Sequence, residues 1–424
     1  TGGLTGDPAA VLRATAAALS VGGDWRVDGT ALLGMSTVTF APLAGSTASI
    51  ISGASFDFLS IAGDSVLRLS TSALVLSTVT VTAGTFDLAA GTITVRGDWL
   101  QSGGQVLGGA GVAATDGTGL QTVRGLAGSS FGAFVSSGTG TLFVAGPFEA
   151  LRGFTWRRGL LSFAGQDLKI GGDFLNQTGS APAFAGSTVT FNGASTQTVT
   201  FLTLGSVVVA NTSAAGLRLG VNSTYGNFSL LPGAAFDGGL RSLTFTGSQW
   251  DSAGASYLSS VGHVVTWNPP SVVTVGAGSI VNARLVLPPG KTAALSGDLS
   301  VGGAGNVCDP QSGSSVLNAA AGSTLTFTGS AELVPSAGGN WVYGGNSADS
   351  WLVFTGSGSA RGASISSNTF GSVRVSLDSA GETFRMPNLT LAGSLVVEGG
   401  ALRPVGAKTL TLGWLPVPRN VFVA

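Results

Sequence analysis

Residues 90–99 read Ala90-Gly91-Thr92-Ile93-Thr94-Val95-Arg96-Gly97-Asp98-Trp99. Between the two glycines, β-branched residues alternate with hydroxyl-bearing ones. That period of two is the signature of a strand with one face in a core and the other in solvent. The Gly-Asp pair then ends the run with residues suited to a tight turn. The same pattern returns as Ser36-Thr37-Val38-Thr39-Phe40, Ser187-Thr188-Val189-Thr190-Phe191 and Thr409-Leu410-Thr411-Leu412. Helical spacing is confined to the Ala-rich residues 8–19. These run into Ser20-Val21-Gly22-Gly23-Asp24-Trp25, so at least their end reads as strand.

Self-similarity organises these strands. Val21-Gly22-Gly23-Asp24-Trp25 returns as Val95-Arg96-Gly97-Asp98-Trp99 and as Ile170-Gly171-Gly172-Asp173-Phe174. Trp25 and Trp99 lie 74 positions apart, and Trp99 and Phe174 lie 75 apart. A looser copy, Phe245-Thr246-Gly247-Ser248-Gln249-Trp250, follows at about the same distance. Leu120-Gln121-Thr122-Val123 returns as Thr196-Gln197-Thr198-Val199, and Phe86-Asp87 as Phe236-Asp237. Gly205-Ser206-Val207-Val208-Val209 matches Gly371-Ser372-Val373-Arg374-Val375. About five degenerate copies of this unit therefore span the chain. The expected layout is one continuous solenoid over residues 1–424: an irregular lead-in (1–19), regular repeats (20–250), looser repeats (251–414) and a C-terminal tail (415–424).

A unit of this length is too long for one solenoid turn, and about three turns of ~20–30 residues fit it. No helical crossover separates the strands, which disfavours an α/β fold. A string of β-sandwiches would need separate cores and linkers, and no break in composition marks one. The sequence therefore predicts an all-β, single elongated parallel β-solenoid. At ~20–25 residues per turn it would make some 17–20 turns, a rod of roughly 80–100 Å.

Composition narrows the function. Of 424 residues 68 are Gly, and only 9 % are charged, against about a quarter in ordinary domains. The net charge is -1 and no basic run exceeds Arg157-Arg158, which argues against nucleic-acid binding. One His, one Cys and four Glu leave little acid–base chemistry. A single cysteine, Cys308, excludes an internal disulfide and a cysteine-based metal site. Mean hydropathy is positive. Even so, no run of about 18 apolar residues occurs, so no membrane insertion by this chain is expected. The chain starts at Thr1 without Met, which suggests processing or trimming.

Runs such as Gly186-Ser187-Thr188-Val189-Thr190-Phe191-Asn192-Gly193 followed by Gln197-Thr198-Val199, and residues 90–99 above, resemble the Gly/Ser/Thr-rich repeats of large bacterial surface proteins. Those are the autotransporter-passenger and haemagglutinin-like β-solenoids. The resemblance covers about residues 20–414 in pattern and is best over 36–250. It implies an exported, right-handed parallel β-helix serving as adhesin, stalk or fibre.

The repeat-equivalent positions are Gly23, Asp24, Trp25, Gly97, Asp98, Trp99, Gly172, Asp173, Phe174, Gly247 and Trp250. Calcium needs six to eight oxygens, whereas each of these Asp residues, like Asp298, stands alone in its unit. Turn capping is the expected role. The aromatic positions would lie three turns apart, about 14 Å, and could form a glycan-stacking strip. Filling a corner of the core is the expected role. Arg96-Gly97-Asp98 spells an integrin-type tripeptide, but the other copies lack the Arg, so it reads as coincidence. The Thr-X-Thr runs are too sparse for the in-register ladder of an ice-binding face. Asp24, Arg26 and Asp28, and Arg157-Arg158 with Asp167, are the nearest charged groupings, and neither has a histidine beside it. His263 reads as a stray polar residue in a strand. Cys308 reads as an incidental thiol, and the sequons at Asn176, Asn211, Asn222, Asn227 and Asn388 as chance in a Ser/Thr-rich chain.

With so few charges, the surface favours association. The expectation is a non-enzymatic extracellular structural protein whose partners are copies of itself, packed end to end or laterally in a fibre, sheath or layer. One rival is a segment of a long adhesin binding glycans or cell-surface components. A weaker one is a β-helix that binds or cleaves polysaccharide. No cofactor and no nucleic-acid partner is expected.

Overall fold

The structure, a computed structural model, describes residues 3–163, 165–260 and 262–302, and beyond these the stretches 307–310, 316–319, 322–328, 332–333, 350–356, 361–362, 368–378, 383–386, 389–391, 393–399, 401–404, 410–412 and 421–423. Every regular element among them is a β-strand, and the strand pairings they make are parallel. The chain forms two compact units, Thr1–Gly205 and Ser206–Ala424. Each is a β-solenoid.

In the N-terminal unit the chain visits three sheet faces in a fixed cycle. The first face stacks Ala18–Val21, Thr37–Phe40, Phe58–Ile61, Val79–Val81, Trp99–Gln101, Leu120–Arg124, Thr141–Val144 and Leu160–Ser162. The second stacks Leu4–Gly6, Trp25–Val27, Thr47–Ile50, Val66–Leu69, Thr85–Asp87 and Gln105–Leu107. The third runs from Ala54–Phe56 through Ser72–Val75, Thr92–Val95, Val112–Thr115 and Phe131–Ser136 to Phe148–Trp156. This last strand turns a corner. Its first half pairs with Leu168–Ile170 and its second with Asp173–Asn176. Residues 4–13, expected to be irregular, already form the strands Leu4–Gly6 and Val11–Arg13.

Partners one turn apart are separated by a nearly constant step. Val66 pairs with Thr85, 19 positions on, and Thr92 with Val112, 20 on. Longer turns occur at Trp25↔Ile50, Trp99↔Val123 and Phe174↔Val199, which are separated by 25, 24 and 25 positions. The repeat is therefore not a whole number of turns. Starting from Trp25 on the second face, three turns reach only Thr85–Asp87, and Trp99 lies two faces further on. The Asp24, Asp98 and Asp173 copies, expected to stack above one another, sit instead at three successive corners. They open the second, first and third faces respectively.

Alternation fills the core. Along Thr92–Val95 the Ile and Val are buried and the Thr residues half-exposed, and Thr37–Phe40 and Thr188–Phe191 repeat this. Inward residues stack on one another: Leu59 on Val79, Val79 on Trp99, and Trp99 on Val123. Further along, the interior becomes aromatic. Phe134 lies 5.5 Å from Phe154, and Phe174 3.9 Å from Phe201. Burying each such ring is worth about 2–3 kcal/mol.

The C-terminal unit has the same plan. One stack contains Ser206–Val209, Phe228–Leu230, Gln249–Asp251, Val272–Val275 and Thr292–Leu295. A second contains Leu217–Leu219, Ala235–Asp237, Ser256–Leu258, Gly278–Val281, Leu299–Gly302 and Thr324–Phe327. The third contains Ser223–Tyr225, Ser242–Phe245, His263–Trp267 and Ala283–Leu287. Val421–Val423, in the expected tail, pairs with Leu395–Val397.

Candidate functional site

The Gly-Asp-aromatic motif marks the start of a strand on a long turn, where the regular hydrogen-bond ladder is interrupted. At Asp98 the backbone carbonyl accepts from Val79 N–H, one turn earlier, at 2.9 Å. The carboxylate faces the other way and accepts from Thr122 N–H, one turn later, at 2.7 Å. Asp24 does the same with Leu4 N–H (2.7 Å) and Ser49 N–H (2.8 Å). Asp298 does it with Gly278 N–H and Thr324 N–H, both at 2.8 Å. Asp173 Oδ1 accepts from Thr198 N–H at 2.7 Å. Asp24, Asp98 and Asp298 do not cap their own turns; each ties three successive coils.

The Gln-Thr-Val motif is the other half of this clamp. In a regular parallel register Thr122 N–H would donate to the Gly97 carbonyl. Instead Asp98 takes that N–H, and the buried amide of Gln121 donates to the Gly97 carbonyl at 2.8 Å and to the Val95 carbonyl at 3.1 Å. Gln121 Oε1 accepts from Gly117 N–H at 2.7 Å. Gln197 repeats the set with Gly172 and Ile170 carbonyls, both at 2.7 Å, and with Gly193 N–H at 2.9 Å. The polar groups at the interrupted ladder are thereby satisfied, as burial requires. The glycines are steric necessities. A Cβ on Gly97 would stand 2.0 Å from the Ser77 carbonyl oxygen, and one on Gly172 2.2 Å from that of Arg152.

The fourth copy differs from expectation. Gly247, Ser248, Gln249 and Trp250 lie on the receiving turn: Ser248 N–H and Gln249 N–H donate to Asn227 Oδ1 at 3.0 and 3.2 Å. The clamp residue there is Asn227, whose carbonyl accepts from Val207 N–H at 2.8 Å. Gly226-Asn227-Phe228 is a Gly-Asp-Phe variant that falls off the regular spacing, so periodicity alone missed it.

The aromatic positions are interior. Trp25, Trp99, Phe174 and Trp250 are at most 2 % exposed, and Trp250 packs 4.7 Å from Phe228. Buried and spread over three corners in the N-terminal unit, Trp25, Trp99 and Phe174 form no surface strip for a sugar. The indole N–H groups of Trp25, Trp99 and Trp250 have no acceptor among the described residues. Arg96-Gly97-Asp98 is also committed internally: Asp98 holds Thr122, Gly97 lies against Ser77, and Arg96 Nε faces Asp116 at 3.9 Å. Thr92 and Thr94 stack between Ser72 and Leu74 on one side and Val112 and Ala114 on the other, so no Thr ladder continues there.

Of the charged groupings, Arg26 pairs with Asp28 at 2.9 Å in solvent. Arg158 offers its carbonyl to Trp156 Nε1 at 2.6 Å. Asp167 lines a shallow groove of about 210 Å³ with Glu149 and Lys169. No group of three or more His, Cys, Asp and Glu side chains converges among the described residues. Among them, too, no helix is long and apolar enough to cross a membrane.

His263, expected to be a stray polar residue in a strand, is instead built into the core. It is fully buried; its Nε2 faces the Tyr257 hydroxyl at 2.7 Å, and its Nδ1 meets the Arg241 carbonyl. The ring covers Gly238, where a Cβ would come within 2.4 Å. Burial holds the imidazole below its ordinary range and pushes the Tyr257 phenol up. The neutral tautomer that donates from Nδ1 and accepts at Nε2 satisfies both partners. Cys308 lies in the strand Val307–Pro310, opposite Leu285, with its side chain outside the described residues, as is Asn388.

Comparison with protein families, curated proteins and solved structures finds no match.

Proposed function

We propose that this chain is a non-enzymatic structural protein, exported and displayed at a cell surface, whose β-solenoid coils assemble with further copies into a fibre, sheath or layer. One observation carries the reading. The polar side chains that recur with the repeat, Asp24, Asp98, Asp173, Asp298, Gln121 and Gln197, are spent on bonds between coils and aim at no common point in solvent. What repetition preserves here is the stack itself. The scarcity of charge on its outward positions lowers the electrostatic cost of bringing copies together. The likeness in pattern to Gly/Ser/Thr-rich bacterial surface proteins supports export. Sedimentation velocity from dilute to millimolar protein tests assembly: species heavier than one chain should grow with concentration. A single monomeric boundary throughout refutes it.

A further inference from the structure

The outer surface of the N-terminal unit is not uniform. Outward positions on the second face carry Arg26, Arg68 and Asp87, and Glu149 and Lys169 lie on the part of the third stack before the corner in Phe148–Trp156. Down the middle of the third face runs an unbroken ladder of seven outward residues in register: Ser55, Leu74, Thr94, Ala114, Val135, Thr155 and Leu175. Beside it runs Ser72, Thr92, Val112 and Ala133. The seven-residue ladder holds no charge; the one beside it continues through Gly153 to the exposed Asp173 at the corner. The seven side chains, with Thr92, Val112 and Ala133 beside them, are half-buried, giving a surface of methyl and hydroxyl groups. Charge returns at the edge where these strands end, with Arg96, Asp116 and Arg157, all exposed.

Resting on the self-assembly reading above, we infer that this third face is the lateral contact, and that its occupant is the same face of a second copy. Three physical points select that occupant. First, an apolar centre with a charged rim is the anatomy of a specific protein interface. Second, the rim is self-complementary. A two-fold axis running along the strands, between the Thr94 and Ala114 rows, brings Arg96 of each copy to Asp116 of the other, adding a cross pair to the long 3.9 Å contact that the two make within one chain. Such an isologous pairing is the commonest symmetry of homo-oligomers. Third, the area suits a repeated weak contact. This axis sets three rows of one copy against three of the other on each side, so six strands at about 4.8 Å and a width of about 13 Å give roughly 370 Å² per copy. The pair thus buries less than the ~1,200 Å² of a stable isolated complex. An isologous contact closes on a pair and is weak alone; copies joined end to end, as the assembly reading allows, present it repeatedly, and multivalency then holds the array.

The test is sedimentation equilibrium on the full chain. Thr94→Lys with Ala114→Lys places two charges at the centre and should lower the apparent association constant at least tenfold. Thr39→Lys with Ser60→Lys, outward on the first face, should leave it unchanged. Far-UV circular dichroism and thermal melting verify that both variants fold. A second pair of variants is independent of core charge. Asp116→Arg alone should weaken association, and adding Arg96→Asp should restore it. Association of the wild type that ignores the third-face lysines, or a double swap that fails to restore it, overturns this inference and leaves the self-assembly reading standing. A wild type that never associates overturns both.

Discussion

Two residues show how far chemistry at a single position is set by its coil. Trp99 buries a large ring but leaves its indole N–H without an acceptor among the described residues. An unmade buried hydrogen bond costs about 1–3 kcal/mol, so Trp99→Phe should change stability by less than about 1 kcal/mol, its lost volume offset by the removed N–H. Trp99→Ala should cost about 3–5 kcal/mol. Urea denaturation of the three proteins checks both figures. Phe174 already occupies the equivalent position naturally. His263 makes a second prediction. In the unfolded chain its imidazole takes up a proton below about pH 6.5. In the fold, burial opposes that proton, although the Arg241 carbonyl and Asp237 favour it. The unfolded state therefore binds more protons in this window, and stability must fall as pH drops below it. Thermal melting from pH 8 to 5 should show this slope, and a His263→Gln variant should lose it.

At the scale of elements, the clamp predicts coupling between residues on different coils. Asp98→Ala leaves Thr122 N–H without its partner and should cost about 1–2 kcal/mol. Gln121→Leu strips the Gly97 carbonyl and Gly117 N–H together and should cost about 2–4 kcal/mol. The double variant should cost less than the sum by at least about 0.5 kcal/mol, since both repair one gap in the ladder. Strict additivity in a double-mutant cycle would show that the two side chains act separately. The strands were legible because Thr-Ile-Thr-Val runs declare both their period and their buried side. The Gly-Asp-Trp and Gln-Thr-Val motifs were legible too, but as separate landmarks. Their partnership depends on the long turns that pair Trp99 with Val123 and Phe174 with Val199, and interchangeable strand patterns do not reveal turn length. For the same reason the even spacing of the motif suggested vertical stacking, whereas the structure moves each copy to another corner. Asn227 escaped because it substitutes an amide for the carboxylate and breaks the spacing.

At the scale of the whole molecule, inward and outward positions serve different ends. Inside, aromatic stacking and the Asp–Gln clamps hold coil to coil. Outside, among the described residues, the salt links are pairs at the surface such as Arg218–Asp237 at 3.5 Å, which add little. With only 9 % charged residues and a net charge of -1, the chain has little electrostatic repulsion to keep its copies apart. Electron microscopy of the purified chain at increasing concentration is the most direct measurement of that consequence. The account predicts filaments or sheets with a regular repeat, sparse when dilute and dominant when concentrated. Fields of separate single chains at every concentration would contradict it.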